Sequence, residues 1–483
     1  MKIIPHTKLH LLLALLGLFM FNACKDFRVE PSRPLVREFD SNVYLRWNDV
    51  FLRLDRYAVG YRPGPVPNAL GYLGFAAYEA VAPGMPDYNS LANLYPQLAM
   101  PQFNENLDYH WPTVINEVYY YMMTRFFFHM EIRYPDLYGQ IALTRDLLNA
   151  QYANEASPEV IARSKQRGIE VAMAFYEWSR SDDAAHNAFL NPQPPYNAPS
   201  GPGYWEPTVP DFVHALFPFW GQVRTFALSE NEQLARPPIP YSENPQSLFY
   251  TQAMEVYKTV NLINKPNKTP DEEKIAYEQR WLAEFWSDDI LGLTFSPPAR
   301  LVAVANQVAE LERINLEEAA ELYAKMGMAL KDISVGIWQS KYVYSLERPV
   351  SYIRRVISKT YPEAANWLPI LNNPVDGFYG VTPAFPAYPS GHSGFGGAGA
   401  KILSSMFEYN SKHPGTYTLV DKCHLGRVEF RSEPRTLASF NDLSRENAYS
   451  RIPLGVHFRM DCDEGIRMGE VAAQRILELP WKK

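Results

Sequence analysis

Leu316 to Val335 reads LEEAAELYAKMGMALKDISV. Apolar side chains return at Leu316, Ala319, Ala320, Tyr323, Met326, Leu330 and Ile333, steps of three and four that put them on one face of a helix. The same spacing recurs in Val36 to Tyr57, Ile115 to Arg133, Pro158 to Arg180 and Gln246 to Ile263, whereas period-two alternation is scarce. These stretches predict an all-α protein built from helical bundles. Its 40 prolines and 26 glycines call for long structured loops between the helices. The clearest is Asn191 to Pro210, which holds seven prolines and suits either a domain linker or a loop packed over the surface. No internal repeat, charge run or low-complexity segment interrupts the chain.

The 483 residues are 47% apolar, which excludes a disordered or collagen-like chain. A formal charge of −7 leaves no basic footprint for nucleic acid, so any anion site must be local. At the N-terminus, Lys2 and Lys8 precede a short apolar run, Leu11 to Phe21, that ends in Phe21-Asn22-Ala23-Cys24. This order reads as the signal of an exported bacterial lipoprotein, with residues 1–23 removed, Cys24 lipidated and 24–36 a tether. No later segment offers the roughly 18 uninterrupted apolar residues of a spanning helix, so contact with the membrane is expected through the lipid anchor alone, in the periplasm or at the cell surface. In that oxidising compartment Cys423 and Cys462 are read as either a disulfide or two buried thiols. The body divides into an N-terminal helical region, 37–270, and a C-terminal catalytic region, 271–483.

Chemistry concentrates in the last third. Lys341 and Arg348 lie seven residues apart, about two helical turns, and so are expected on one face just before Pro349 interrupts the helix. Phe385 to Ala400 reads FPAYPSGHSGFGGAGA. Here Pro389 and Ser390 mark a helix start, and Gly391 lets the backbone approach a ligand. Free N–H groups and the positive dipole end favour an oxyanion, with His392 beside it. In Ser450 to Asp461, His457 and Asp461 are four apart, so the carboxylate can hold one ring nitrogen and leave the other free. Pro453 and Gly455 predict a turn that brings Arg451 to His457. Ser444-Arg445 is a competing register, rejected because the residue six beyond Arg445 is Arg451, not histidine.

Lys-x6-Arg-Pro, Pro-Ser-Gly-His and Ser-Arg-x5-His-x3-Asp, in this order, resemble the signature of the vanadium-dependent haloperoxidase and type 2 phosphatidic acid phosphatase superfamily. The resemblance spans about Trp338 to Asp461. It implies a helical haloperoxidase-like fold and a vanadate cofactor. Lys341, Arg348 and Arg451 would neutralise its oxygens, Ser390 and the Gly391 amide would donate to it, and His457 would hold the vanadium. His392 and Lys341 would serve peroxide and proton transfer, with Asp461 supporting His457. Phe285-Trp-Ser-Asp-Asp289 is similar to a segment of the chloroperoxidase branch, which implies that Asp289 pairs with Arg451. Trp338 and Phe385 match aromatic residues of the halide pocket in that branch. The implied activity is oxidation of a halide by hydrogen peroxide to hypohalous acid.

The alternative is a phosphatase using the same site, with phosphate in place of vanadate and a phosphohistidine at His457. The long helical region ahead of the signature and the aromatic pair favour the haloperoxidase. A lipoprotein that only captures phosphate or a glycan would not need the full set of acid-base groups. Phe385 stands where bromide-oxidising relatives often place histidine, so the resemblance tilts toward the chloroperoxidase-like pattern without fixing the halide; the organic acceptor and the oligomeric state have no signature in the sequence.

Overall fold

The computed structural model describes residues 33–186, 188, 196–408, 416–424 and 433–483. The signal segment and Cys24 lie outside the described residues. Leu35–Lys483 forms one compact unit.

Helices of seven or more residues are α1 (Asn42–Tyr57), α2 (Pro65–Val81), α3 (Trp111–Phe126), α4 (Pro135–Tyr152), α5 (Pro158–Arg180), α6 (Leu248–Asn264) and α7 (Pro270–Phe285), followed by α8 (Pro297–Glu312), α9 (Leu316–Tyr344), α10 (Pro349–Arg355), α11 (Gly391–Leu403), α12 (Phe440–Tyr449) and α13 (Arg459–Leu477). Many begin with proline, whose missing N–H costs nothing in a first turn. Side-chain caps set the starts: Ser157 Oγ accepts from Val160 N, and Thr269–Glu272 and Asn315–Glu318 form reciprocal capping boxes. Strand is confined, among the described residues, to two antiparallel pairs, β1 (Asn372–Asn373) with β2 (Phe378–Tyr379) and β3 (Tyr417–Leu419) with β4 (Arg435–Leu437).

Expected helix ends moved in three places. Val36 to Tyr57 is a short 3-10 turn, Val36–Glu38, followed by α1, because Asp40 Oδ1 accepts from Asn42 N at 2.9 Å and restarts the helix. The stretch ending at Arg133 breaks after Phe126, where Met130 N donates to Phe127 O at 2.8 Å in a tight turn. The Leu316 helix continues to Tyr344, roughly 43 Å at 1.5 Å per residue.

Helix α9 is the axis of the molecule, buried along nearly its whole length. Its first half packs on α2 so closely that a Cβ at Gly327 would strike the Leu70 carbonyl. Its second half packs on α11 and α13, which cross each other with Gly465 under Ser390, where a Cβ would come within 2.6 Å of the Ser390 carbonyl. One apolar core therefore runs from Val36 to Trp481. Of the proline-rich stretch, the described part is a packed loop: Trp205 N donates to Ser345 O at 2.7 Å and Glu347 N to Gly203 O at 2.9 Å. It straps the turn between Lys341 and Arg348. Among the described residues no helix is long and apolar enough to cross a membrane.

Candidate active site

Lys341 and Arg348 converge, though not on one helix. Helix α9 ends at Tyr344, Ser345 turns left-handed at φ 47°, and Arg348 is the extended N-cap of α10. The residue before a proline is driven out of the helical region, so Pro349 fixes Arg348 outside α9 and starts a new helix. A shared set of carbonyls then gathers both cations. Lys341 Nζ donates to Pro386 O at 2.8 Å and Ala387 O at 2.9 Å, and Arg348 Nε to Phe385 O at 2.9 Å. Both sit near the Phe385 ring, at 5.0 and 5.1 Å from its centroid.

His457 and Asp461 pair as expected, at a helix cap rather than along a helix. His457 stands just ahead of α13, with Phe458 as its N-cap. Asp461 Oδ2 accepts from His457 Nδ1 at 3.0 Å and from Phe458 N at 3.0 Å. Nε2 is thereby turned to the other side, 3.1 Å from Arg348 Nη1, which also donates to Val456 O. Arg451 opens a short helix, Arg451–Leu454, closed by Gly455 at φ 92°. That turn brings Arg451 into the same neighbourhood, fully buried, whereas Arg445 is exposed.

Ser390 caps α11, its hydroxyl accepting from Ser393 N at 3.3 Å and its N–H donating to Asp461 O at 2.9 Å. The Gly391 amide begins the helix, where N–H groups lack an intrahelical partner. Asp289 holds Arg451 in a two-pronged pair, Oδ2 to Nη1 and Oδ1 to Nη2, both 2.9 Å. The preceding residue, Asp288, engages His392 Nε2, a role the sequence reading missed. Its only signal was the Asp288-Asp289 doublet. Asp288, Asp289 and His392 bring potential cation ligands within 4.8 Å of one another. Within the trio only Asp288 and His392 are hydrogen-bonded; both Asp289 oxygens are taken by Arg451, and Asp289 Oδ1 lies 3.8 Å from His392 Nε2.

His457, His392, Gly391, Trp338 and Phe385 line one cavity of about 300 Å³, with Asp288 and Asp289 on its wall. Trp338 and Phe385 lie 5.1 Å apart, ring to ring. Lys341, Arg348 and Arg451 are all 0% exposed. Burial, then Arg348, hold the Lys341 ammonium well below the usual lysine range, with Asp461 opposing. Burial lowers Arg348 to about 9. Burial, then Arg348, Lys341 and Arg451, keep the His457 ring neutral. Burial pushes Asp461 up to about 7. Burial also opposes the Asp289 charge, but Arg451 and His392 outweigh it and its pKa falls. Arg348 Nη2 and Arg451 Nε are buried without a hydrogen-bond partner. A donor-only set of crowded cations with unused N–H groups fits a tetrahedral oxyanion, since like charges this close repel unless an anion lies between them.

Cys423 and Cys462 are free buried thiols, the second of the two alternatives. Phe295 N donates to Cys423 Sγ at 3.2 Å.

Residues 321–480 match the family model for the VCPO second helical-bundle domain. The structure of the first bacterial vanadium-dependent iodoperoxidase is similar over 92% of this chain and 98% of that one, at 24% identity and a TM-score of 0.74. A holo-type bacterial vanadium-dependent chloroperoxidase is similar over 91% and 98%, at 14% identity and a TM-score of 0.60. Its apo-type counterpart gives 92% and 98%, at 16% identity and 0.60. No curated protein matches the chain in sequence. The C-terminal third is thus of the VCPO second helical-bundle kind, and the chain as a whole has the fold of the bacterial vanadium haloperoxidases.

Proposed function

We propose that the chain is a vanadate-dependent haloperoxidase, using hydrogen peroxide to oxidise a halide to hypohalous acid. The observation that carries this reading is the convergence of three buried cations on His457 with guanidinium N–H groups unbonded. The likeness to iodoperoxidase and chloroperoxidase folds supports the same kind of chemistry. The chemistry that vanadate would supply when held there is Lewis-acid activation of peroxide without a change of oxidation state. His457 would hold it through Nε2, because Asp461 engages Nδ1 and fixes the tautomer. Arg348, Arg451 and the Gly391 amide would neutralise and orient its oxygens, with the Ser390 hydroxyl as a further donor. Lys341 donates two N–H groups to carbonyls and keeps a third for a ligand oxygen. His392 would move protons at Nδ1, since Asp288 takes Nε2. Trp338 and Phe385 would exclude water from the halide.

The test is purified protein with and without added vanadate, assayed for peroxide-dependent oxidation of iodide, bromide and chloride and for hydrolysis of a phosphate ester. Vanadate-dependent halide oxidation is expected. Ester hydrolysis that vanadate inhibits, without halide oxidation, would replace this reading with the phosphatase. The N-terminal segment supports export and lipidation at Cys24, so Cys24→Ser is expected to move the protein from the membrane fraction to the soluble one.

A further inference from the structure

The cavity above His457 is larger than a halide and a peroxide require. At about 300 Å³ it reaches the size of small-molecule sites. Away from the histidines its wall is apolar, with Ile290, Leu371, Val381 and Phe395 joining Trp338 and Phe385, and Val213 and Leu216 half-exposed at the rim. Trp338 is 1% exposed, lines this space, and has an Nε1–H with no acceptor. A buried donor of that kind calls for a ligand oxygen or π face.

The charged groups facing the cavity sort into two kinds. Asp289 is tied to Arg451, Asp288 to His392, and Arg62 Nη2 to Asp55 at 3.3 Å, with Arg62 Nε and Nη1 buried and unbonded within the wall's packing. Asp211 and Asp376 have no ion-pair partner among the described residues. They stand on the two loops that border the mouth, where Asp376 accepts only a 2.8 Å bond from Asn373 Nδ2. They are close enough to sense each other: burial first, and Asp376 with it, raise the Asp211 carboxyl. Asp211 is held by backbone N–H groups of its own loop but by no cation, so the opening of this largely apolar chamber carries two carboxylates without an ion-pair partner and favours a cationic head there.

We infer that the cavity binds an organic acceptor with an aromatic body and a cationic amine head, the body against the Trp338 and Phe385 wall and the amine at Asp211 and Asp376. The binding is a property of the cavity; only the chemistry done on the ligand rests on the haloperoxidase reading. There, the ring carbon forms the bond to halogen, the halogen–oxygen bond breaks with its electrons on oxygen, and the ring proton leaves with hydroxide as water. The ring is oxidised and hypohalous acid reduced by two electrons.

The test is calorimetric titration of the full chain, with phosphate in excess so that Lys341, Arg348 and Arg451 already face an anion, with 4-hydroxyphenethylamine and with 4-hydroxyphenylacetate, which share a body and differ in the sign of the head. The amine is expected to bind about tenfold or more tightly than the acid, a difference that two nearby carboxylates supply. In the Asp211→Asn, Asp376→Asn double variant, with an unchanged circular dichroism spectrum, the preference is expected to fall below about threefold. Equal binding of the two ligands, binding of neither, or a preference that survives in the variant would overturn the inference. Selective amine binding in a protein that oxidises no halide would retain the inference and sink the haloperoxidase reading. Halide oxidation without amine binding would do the reverse.

Discussion

Helix α9 buries three lysines; Lys325 pairs with Glu321, while Lys331 and Lys341, ten residues apart, have opposite surroundings. Lys331 donates to the carbonyl of Arg224 and sits beside Asp332, whose carboxylate accepts the N–H groups of Phe226 and Ala227 at 2.7 Å and Leu228 at 2.9 Å. Burial lowers Lys331 to about 8, with Asp332 opposing the fall. Lys341 bonds two carbonyls but contacts no carboxylate, and Arg348 and Arg451 push on it from nearby. Lys331 is balanced by the fold itself. Lys341 has only the more distant Asp461 to oppose its burial, and the proposed anion would complete its balance. Buried charge without a contacting counter-charge costs stability, and three such cations gathered at His457 support the proposed anion site.

The largest expected effect lies on the uncompensated side. His457→Ala removes the ring around which the cations gather, and halide oxidation is expected to fall more than about 10³-fold in steady-state assays. Lys341→Met sharpens the contrast. Its kcat/KM is expected to drop about 10²–10³-fold, as for loss of one preorganised donor, while its denaturation midpoint without vanadate stays level or rises because a repelling charge is gone. Asp332→Ala should do the opposite, costing about 3–5 kcal/mol of stability by stranding Lys331 and sparing the activity of the folded fraction. A stability loss for Lys341→Met equal to that for Asp332→Ala would break the comparison.

Smaller effects test the support around the site. Asp288→Asn is expected to lower turnover about 10–100-fold and displace the pH profile of kcat, with vanadate affinity little changed, because it orients His392 and does not touch the anion. The pH dependence of anion binding follows from Lys341. Its pKa is depressed without an anion and returns upward beside one, so the bound form holds more protons. Affinity must then fall as pH rises between that depressed value and the usual lysine pKa near about 10.4. Sulfate, whose charge is constant there, should weaken by up to about tenfold per pH unit, and less steeply in Lys341→Met.

Much of this was legible in the sequence, for physical reasons. The period of apolar residues predicts helices because buried helical faces repeat at 3.6 residues; α5 falls where it places it, and α9 starts there but runs on to Tyr344. Pro389-Ser390 announces a cap, and Gly455 a turn, through local backbone preferences that the fold does not override. The Arg451–Asp289 pair followed from resemblance and is present in the geometry. What escaped depended on long-range packing. Ser345 adopts a left-handed turn with no glycine to signal it, so Arg348 reaches the site from a second helix. The carbonyls of Phe385, Pro386 and Ala387 that hold the cations belong to the backbone and carry no residue signature. Asp288 and Asp289 are neighbours in sequence, and only the fold decides that one faces His392 and the other Arg451.

Calorimetric titration with orthovanadate tests most directly whether Lys341, Arg348, Arg451 and His457 enclose a single tetrahedral ion. One ion per chain is predicted, with affinity lowered at least about 10–100-fold in Arg451→Ala and in His457→Ala. Absence of saturable binding in the wild-type chain, or undiminished affinity in either folded variant, would contradict the account.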